Sequence, residues 1–225
     1  MSENSVITSL SEQVWNFRWA DYMPFHLTEN IIVTHAKYDE AIGIIKKIFP
    51  EIFRTNEAKN NFSDQDSPEF KSSYYRLCGD FFIFRDQTTD EIAGMAVCAL
   101  HDWGGLNFRT IAMRPQYQSQ GLYPLFTEFL ASVLKDVGVS RIEGDVSGSN
   151  RQHLNILTKM GYVITGHSAS GSFGLTVRIT KFLRENDEAR FADLFSCTSA
   201  SDQHSNAKFQ PKKTIQFKGL NEQAF

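Results

Sequence analysis

Apolar residues recur along the chain in two rhythms, and the changes between them predict its elements. Ile31-Ile32-Val33-Thr34 is β-branched throughout and predicts a strand over Asn30–His35. Behind Asp39, a suitable N-cap, Ala41, Ile42, Ile44, Ile45, Ile48 and Phe49 fall at helical spacing until Pro50 disrupts the pattern. Residues 54–67 are polar and rich in Asn and Asp, which predicts a loop. It ends at a second helix with Ser67 as cap, Pro68 at N1 and Glu69 at N2, running to Leu77. Phe81-Phe82-Ile83-Phe84 and Ile92–Leu100 read as a hairpin across the polar turn Asp86–Glu91, and Asn107–Met113 as a third strand beyond Trp103-Gly104-Gly105.

After a break at Pro115 the pattern predicts a helix over Tyr123–Val137, a strand over Arg141–Val146 and a helix over Asn150–Met160. Strands over Tyr162–Ser168 and Phe173–Phe182 follow. Antiparallel strands first, then strand and helix in alternation, argue for a mixed α/β fold with a mostly antiparallel sheet flanked by helices. Residues 1–29 carry Trp15, Phe17, Trp19, Tyr22, Phe25 and Leu27, too aromatic for a solvated tail, and are expected to pack on a core of residues 30–183. Residues 184–225 start with a helical pattern, Arg184–Phe195, and then become rich in Ser, Gln, Asn and Lys, which reads as flexible.

Composition narrows the class. With 23 basic against 26 acidic residues in 225, the formal net charge of −3 does not suit a nucleic-acid coat, and the lysines of the tail read as solvation. Cys78, Cys98 and Cys197 form no C-x-x-C pair, and the histidines show no metal-ligand spacing, so neither a disulfide framework nor a metal is expected. Met1–Leu10 lacks the basic flank and apolar run of a signal peptide, and no window approaches 18 apolar residues. The chain reads as cytoplasmic, without a membrane segment. The sequon Asn61-Phe62-Ser63 reads as an accidental surface tripeptide.

The segment with chemical content is Ile111–Tyr123, where a strand ends, a short polar loop turns at Gly121 and a helix begins. Loop amides and the unpaired N–H groups of a first helical turn converge on one concavity, and the helix dipole adds about half a positive charge there. That geometry suits a diphosphate. Gly121 removes a β-carbon from the approach, and Pro124 fits the first helical turn.

The segment resembles motif A of the GNAT superfamily of acyl-coenzyme A N-acyltransferases, V-x-x-x-x-R/Q-x-x-G-x-G/A. Met113 stands at Val, Gln118 at Arg/Gln, Gly121 at the central Gly and Tyr123 at the final Gly/Ala. Asn150, Lys159, Gly161 and Tyr162 fall in register with the family's V-x-x-x-N and K-x-G-F, and Ile92-Ala93-Gly94 resembles its I-x-G. The resemblance implies a sheet splayed between two strands with acetyl-CoA, or another acyl-CoA, as co-substrate in the gap. It assigns the diphosphate to the amides of Gln118, Ser119, Gln120, Gly121, Leu122 and Tyr123, and the pantetheine to the backbone of Ile111 and Met113. Asn150 would contact the coenzyme near its thiol, and the N–H of Met113 would polarise the thioester carbonyl.

The sequence departs from the family in three places. Tyr123 replaces a small residue, Leu157 stands where many relatives carry a tyrosine that protonates the leaving thiolate, and Asn107 lies near a position where some carry a basic glutamate. An alkylammonium of pKa about 10.4 is neutral only about once in 2,500 molecules at pH 7, a handicap of roughly 4.6 kcal/mol, so a base or water chain is needed for such an acceptor. Candidates are Asp145, His101, Asp102 and Glu143, while Arg109, on the same strand face as Asn107 and Ile111, could pair a substrate carboxylate or form an exterior salt bridge. The remaining histidines read as surface or packing groups, with His153 facing solvent. Tyr74-Tyr75 reads as core or substrate wall.

The function implied is direct transfer of an acyl group, most simply acetyl, to a primary amine on a small molecule or peptide. A homodimer is compatible with this reading. Two alternatives stand beside it: a GNAT-fold protein that binds acyl-coenzyme A or a partner protein without catalysis, and an enzyme using longer acyl chains or an acyl-carrier protein.

Overall fold

A computed structural model of the chain describes residues 17–52, 69–100, 104–170 and 174–195. Its strands are β1 (Phe25–His26), β2 (Ile31–Ala36), β3 (Gly79–Asp86), β4 (Ile92–Leu100), β5 (Gly105–Met113), β6 (Arg141–Ser147), β7 (Val163–Ser170) and β8 (Gly174–Phe182). They form one eight-stranded sheet in the order β1-β2-β3-β4-β5-β6-β8-β7. Every neighbouring pair is antiparallel except β5 and β6, which are parallel. The helices are α1 (Tyr38–Ile52), α2 (Glu69–Cys78), α3 (Leu122–Asp136), α4 (Arg151–Lys159) and α5 (Asp187–Phe195). The chain divides into the units Met1–Glu188, which holds the sheet, and Ala189–Phe225, whose described part is the end of α5.

Strand alternation feeds two cores, one on each face of the sheet. On the first face Phe82, Phe84, Ala96, Cys98, Leu106, Ile142 and Val146 meet Phe126, Leu130 and Leu134 of α3 and Leu157 of α4. On the second, Phe81, Ile83, Met95, Val97 and Ala112 meet Ala41 and Ile45 of α1 and Tyr75 of α2. Phe126 is the hub of the first core, with ring centroids 4.8 Å from Phe84, 5.2 Å from Phe82 and 6.3 Å from Phe108. Edge-to-face geometry of this kind adds to area burial and fixes α3 under the centre of the sheet.

Residues 17–29 of the N-terminal flank take part in this architecture. Trp19 is buried with its ring 4.9 Å from Phe82, and Phe25 stacks on Phe129 at 3.7 Å. Phe25–His26 adds an edge strand that periodicity did not predict, two residues being too short to register as alternation.

Two further expectations change. The first helix runs through Pro50 to Ile52, and Asp39 lies inside its first turn rather than at its cap. The polar loop of residues 54–67 with the cap Ser67, together with Cys197, Asn61 and residues 196–225, lies outside the described residues. No described helix is long and apolar enough to cross a membrane.

Phe126→Ala is expected to lower the unfolding free energy by about 3–5 kcal/mol, read from urea midpoints. Leu77→Ala, at a side chain 85% exposed, is expected to change it by less than about 0.5 kcal/mol.

Candidate functional site

The sheet opens between β5 and β6. Their parallel pairing holds Gly105, Leu106 and Asn107 against Arg141, Ile142 and Glu143 and then stops, although both strands continue. At the same point the β4–β5 register slips between Val97 and Cys98, leaving Arg109 as an extra residue on β5. Such a bulge bends its strand and increases the local twist. Beyond it, Arg114 N–H bonds the carbonyl of Ala93 on β4. By antiparallel alternation Ile111 and Met113 therefore aim their N–H and C=O groups into the opening.

The loop after β5 closes the wide end of this opening. Pro115–Tyr117 forms a 3₁₀ turn, Gln118 Nε2 donates to the carbonyl of Met113 at 2.8 Å, and Gln120 Nε2 donates to that of Gln116 at 2.7 Å. Ser119 (φ 60°) and Gly121 (φ 75°) adopt left-handed conformations. Gly121 is the N-cap of α3 and offers no capping side chain. Pro124 has no N–H and Leu125 bonds back to Gly121, which leaves the amides of Leu122 and Tyr123 without helical partners. The requirement for glycine at 121 comes from its positive φ, since an added β-carbon would meet no protein atom within 4 Å.

A cleft of about 270 Å³ lies at this end, lined by Ile111, Ala112, Met113, Gln118, Tyr123, Asn150, Gln152, His153 and Ile156. Five residues singled out in the sequence for one ligand, Ile111, Met113, Gln118, Tyr123 and Asn150, thus line one space. Ser119, Gln120, Gly121 and Leu122 belong to the adjoining loop and helix start. Asn150 caps α4, its Oδ1 accepting from the N–H of His153 at 3.1 Å.

His153 does not face solvent as expected. Its ring lies 5.0 Å from that of Tyr123, edge to face, and its Nε2 is buried without a hydrogen-bond partner among the described residues. The side chain lies in the cleft because the first turn of α4 presents it there, a placement that amphipathic spacing alone does not reveal. Burial pushes the His153 imidazole below its ordinary pKa and the Tyr123 phenol above its own, so both are uncharged at neutral pH. Leu157, one turn further along α4, is buried in the core.

The charged candidates occupy the opposite face. Ile142 and Val146 point into the first core, so Arg141, Glu143 and Asp145 point away from it. Asp145 accepts from Nε and Nη2 of Arg178 at 3.3 Å each, which ties it to its neighbour on β8 rather than leaving it free beside the cleft. Glu143 is paired with Arg141. Arg109 reaches the phenol of Tyr75 through Nε (3.3 Å) and the side-chain oxygen of Asn107 through Nη1 (3.5 Å). The bulge separates Arg109 and Asn107 from Ile111, which sequence alternation had placed on the same face. His101 and Asp102 lie outside the described residues. Among the described residues no cluster of three His, Cys, Asp or Glu could hold a metal ion.

No protein-family model and no curated protein matches the chain. Solved structures do. The ribosomal-protein-S18-alanine N-acetyltransferase from Escherichia coli matches with a TM-score of 0.55 at 14% identity, over 69% of this chain and 95% of that one. The ribosomal-protein-S5-alanine acetyltransferase from Vibrio fischeri gives 0.53 at 15% identity (70% and 96%). A spermidine/spermine N-acetyltransferase from Vibrio cholerae gives 0.52 at 12% identity (73% and 98%). A splayed sheet with this order of elements, matched over nearly the whole of such neighbours, gives the chain the GNAT N-acetyltransferase fold.

Proposed function

We propose that the chain transfers an acetyl group from acetyl-CoA, held in the cleft, to a primary amine that approaches from the opposite face of the sheet. The observation that carries this reading is the opening itself: β5–β6 pairing ends at Asn107 and Glu143, and the amide-lined loop and the cleft stand at the wide end. The solved neighbours are acetyltransferases that act on amines, spermidine and spermine in one case and ribosomal-protein alanine in others.

The residues fit the group. The amides of residues 118–123 and the start of α3 offer donors to a diphosphate. The backbone of Ile111 and Met113 is aimed into the opening, and the orphaned Nε2 of His153 offers a further polar contact. Bound acetyl-CoA supplies an acyl group activated as a thioester. The carbonyl of Met113 already accepts from Gln118, and its N–H, aimed into the opening, is suited to polarising a carbonyl. The main contribution of such a site is to hold amine and thioester in attack geometry.

With Leu157 in the core, no acid serves the leaving thiolate from that position. With Asp145 on Arg178 and Glu143 on Arg141, proton removal falls to water. That scarcity also favours a second reading, a binding protein of the same fold without catalysis.

Titration calorimetry is expected to detect acetyl-CoA binding. Gly121→Asp, which adds a carboxylate and a β-carbon at positive φ, is expected to weaken it by about tenfold or more. No heat with acetyl-CoA or free coenzyme A would sink the reading, whereas binding without thiol release across an amine panel would select the non-catalytic one. Turnover with acetyl-CoA is expected to exceed that with octanoyl-CoA; the reverse order would favour the longer-chain donor.

A further inference from the structure

We propose that the acceptor amine carries a carboxylate and that Arg109 binds it; the amine half of this statement rests on the acyl-transfer reading above. Arg109 is the bulge residue of β5, two residues past Asn107, the last residue paired to β6, so it stands on the lip of the opening. It lies on the second face, with its Nε on Tyr75 of α2.

The charges on this face do not balance. Arg141 takes Glu143 and Arg178 takes Asp145. Arg109 has only neutral partners among the described residues, the Tyr75 phenol and the Asn107 amide. Those partners are themselves buried, Tyr75 at 5% and Asn107 at 5% exposure, while the Arg109 side chain they hold is exposed. A guanidinium braced from behind by two buried groups keeps the rest of its five donors for a ligand. The planar fork fits the two oxygens of a carboxylate, and bracing lowers the entropy lost when they bind. Asp145 on the facing lip is already held by Arg178, so among the described residues no carboxylate across the opening pairs with Arg109.

The register slip places Arg109 and Thr110 opposite Val97, between the pairs Phe108–Cys98 and Ile111–Ala96, so the backbone bends at Arg109.

Two measurements on the full chain test the proposal. In the first, saturation-transfer NMR compares N-acetylphenylalanine, which has a free carboxylate, with its methylamide. The carboxylate compound is expected to bind about tenfold more tightly. Arg109→Gln is expected to erase the difference and Arg109→Lys to restore part of it. Equal binding of the two compounds to the unaltered chain, or an undiminished preference in Arg109→Gln at unchanged melting temperature, would overturn the carboxylate site.

In the second, thiol release from acetyl-CoA is followed with phenylalanine, phenylalaninamide and phenethylamine. A carboxylate preference is expected to appear in KM and to collapse in Arg109→Gln. Failure of acetyl-CoA to bind would defeat the acyl-transfer reading and, with it, the amine half of this proposal. The NMR comparison would still decide whether Arg109 binds a carboxylate.

Discussion

A sheet that opens must leave backbone groups without partners, and the site depends on where this one does so. β5 is bound along its length to β4 and β6 along its length to β8, both antiparallel, while β5 and β6 share the sheet's single parallel seam. Parallel pairing is the weaker of the two per residue, so strain from two twisting halves is relieved there. The bulge at Arg109 turns β5 away just beyond the last shared pair. Gly144 stands on the other lip, where an added β-carbon would lie 3.2 Å from the Phe108 carbonyl. The strands thus remain close at the vertex and separate beyond it.

The opening joins two faces of different character. On one, α3 is fixed by Phe126 against Phe82 and Phe84, which sets the place of its N-terminus and hence of the unpartnered amides of Leu122 and Tyr123. α4 enters beside it, capped by Asn150, so the cap that fixes the helix is also part of the cleft wall. On the other face the second core reaches β5 at Ala112, while β6 presents Arg141, Glu143 and Asp145, held in ion pairs. Such a gap would let a donor on one face and an acceptor on the other meet without competing for the same wall.

Most of this was legible where local chemistry and periodicity agree. The run from Ile111 to Tyr123 gave strand, polar turn and helix start in the right order, because a strand end, a positive-φ glycine and a proline in the first turn each leave a sequence trace. What escaped depends on tertiary context. Phe25–His26 is a strand only because β2 lies beside it. Ile111 was assigned to the face of Arg109 because a bulge, which reverses alternation, has no signature in one sequence. His153 was assigned to solvent because nothing local reports that α4 turns its first residues toward Tyr123. Asp145 looked free until the register of β6 on β8 placed Arg178 beside it.

Net charge bears on how the two sides of such a site can be tuned. At −3 the whole chain exerts no general pull on an anion, so a diphosphate would be held by amides and a helix end, whose field fades within about one turn. Arg109 acts from the other face of the sheet. Charges exposed to solvent are screened over about 8–10 Å at physiological salt. A cation at the acceptor lip therefore adds little to the donor loop, and loss of a loop amide leaves the lip nearly unchanged. The same near-neutral chain can carry two separate anion preferences because each is local, one made of backbone and the other of a single braced guanidinium.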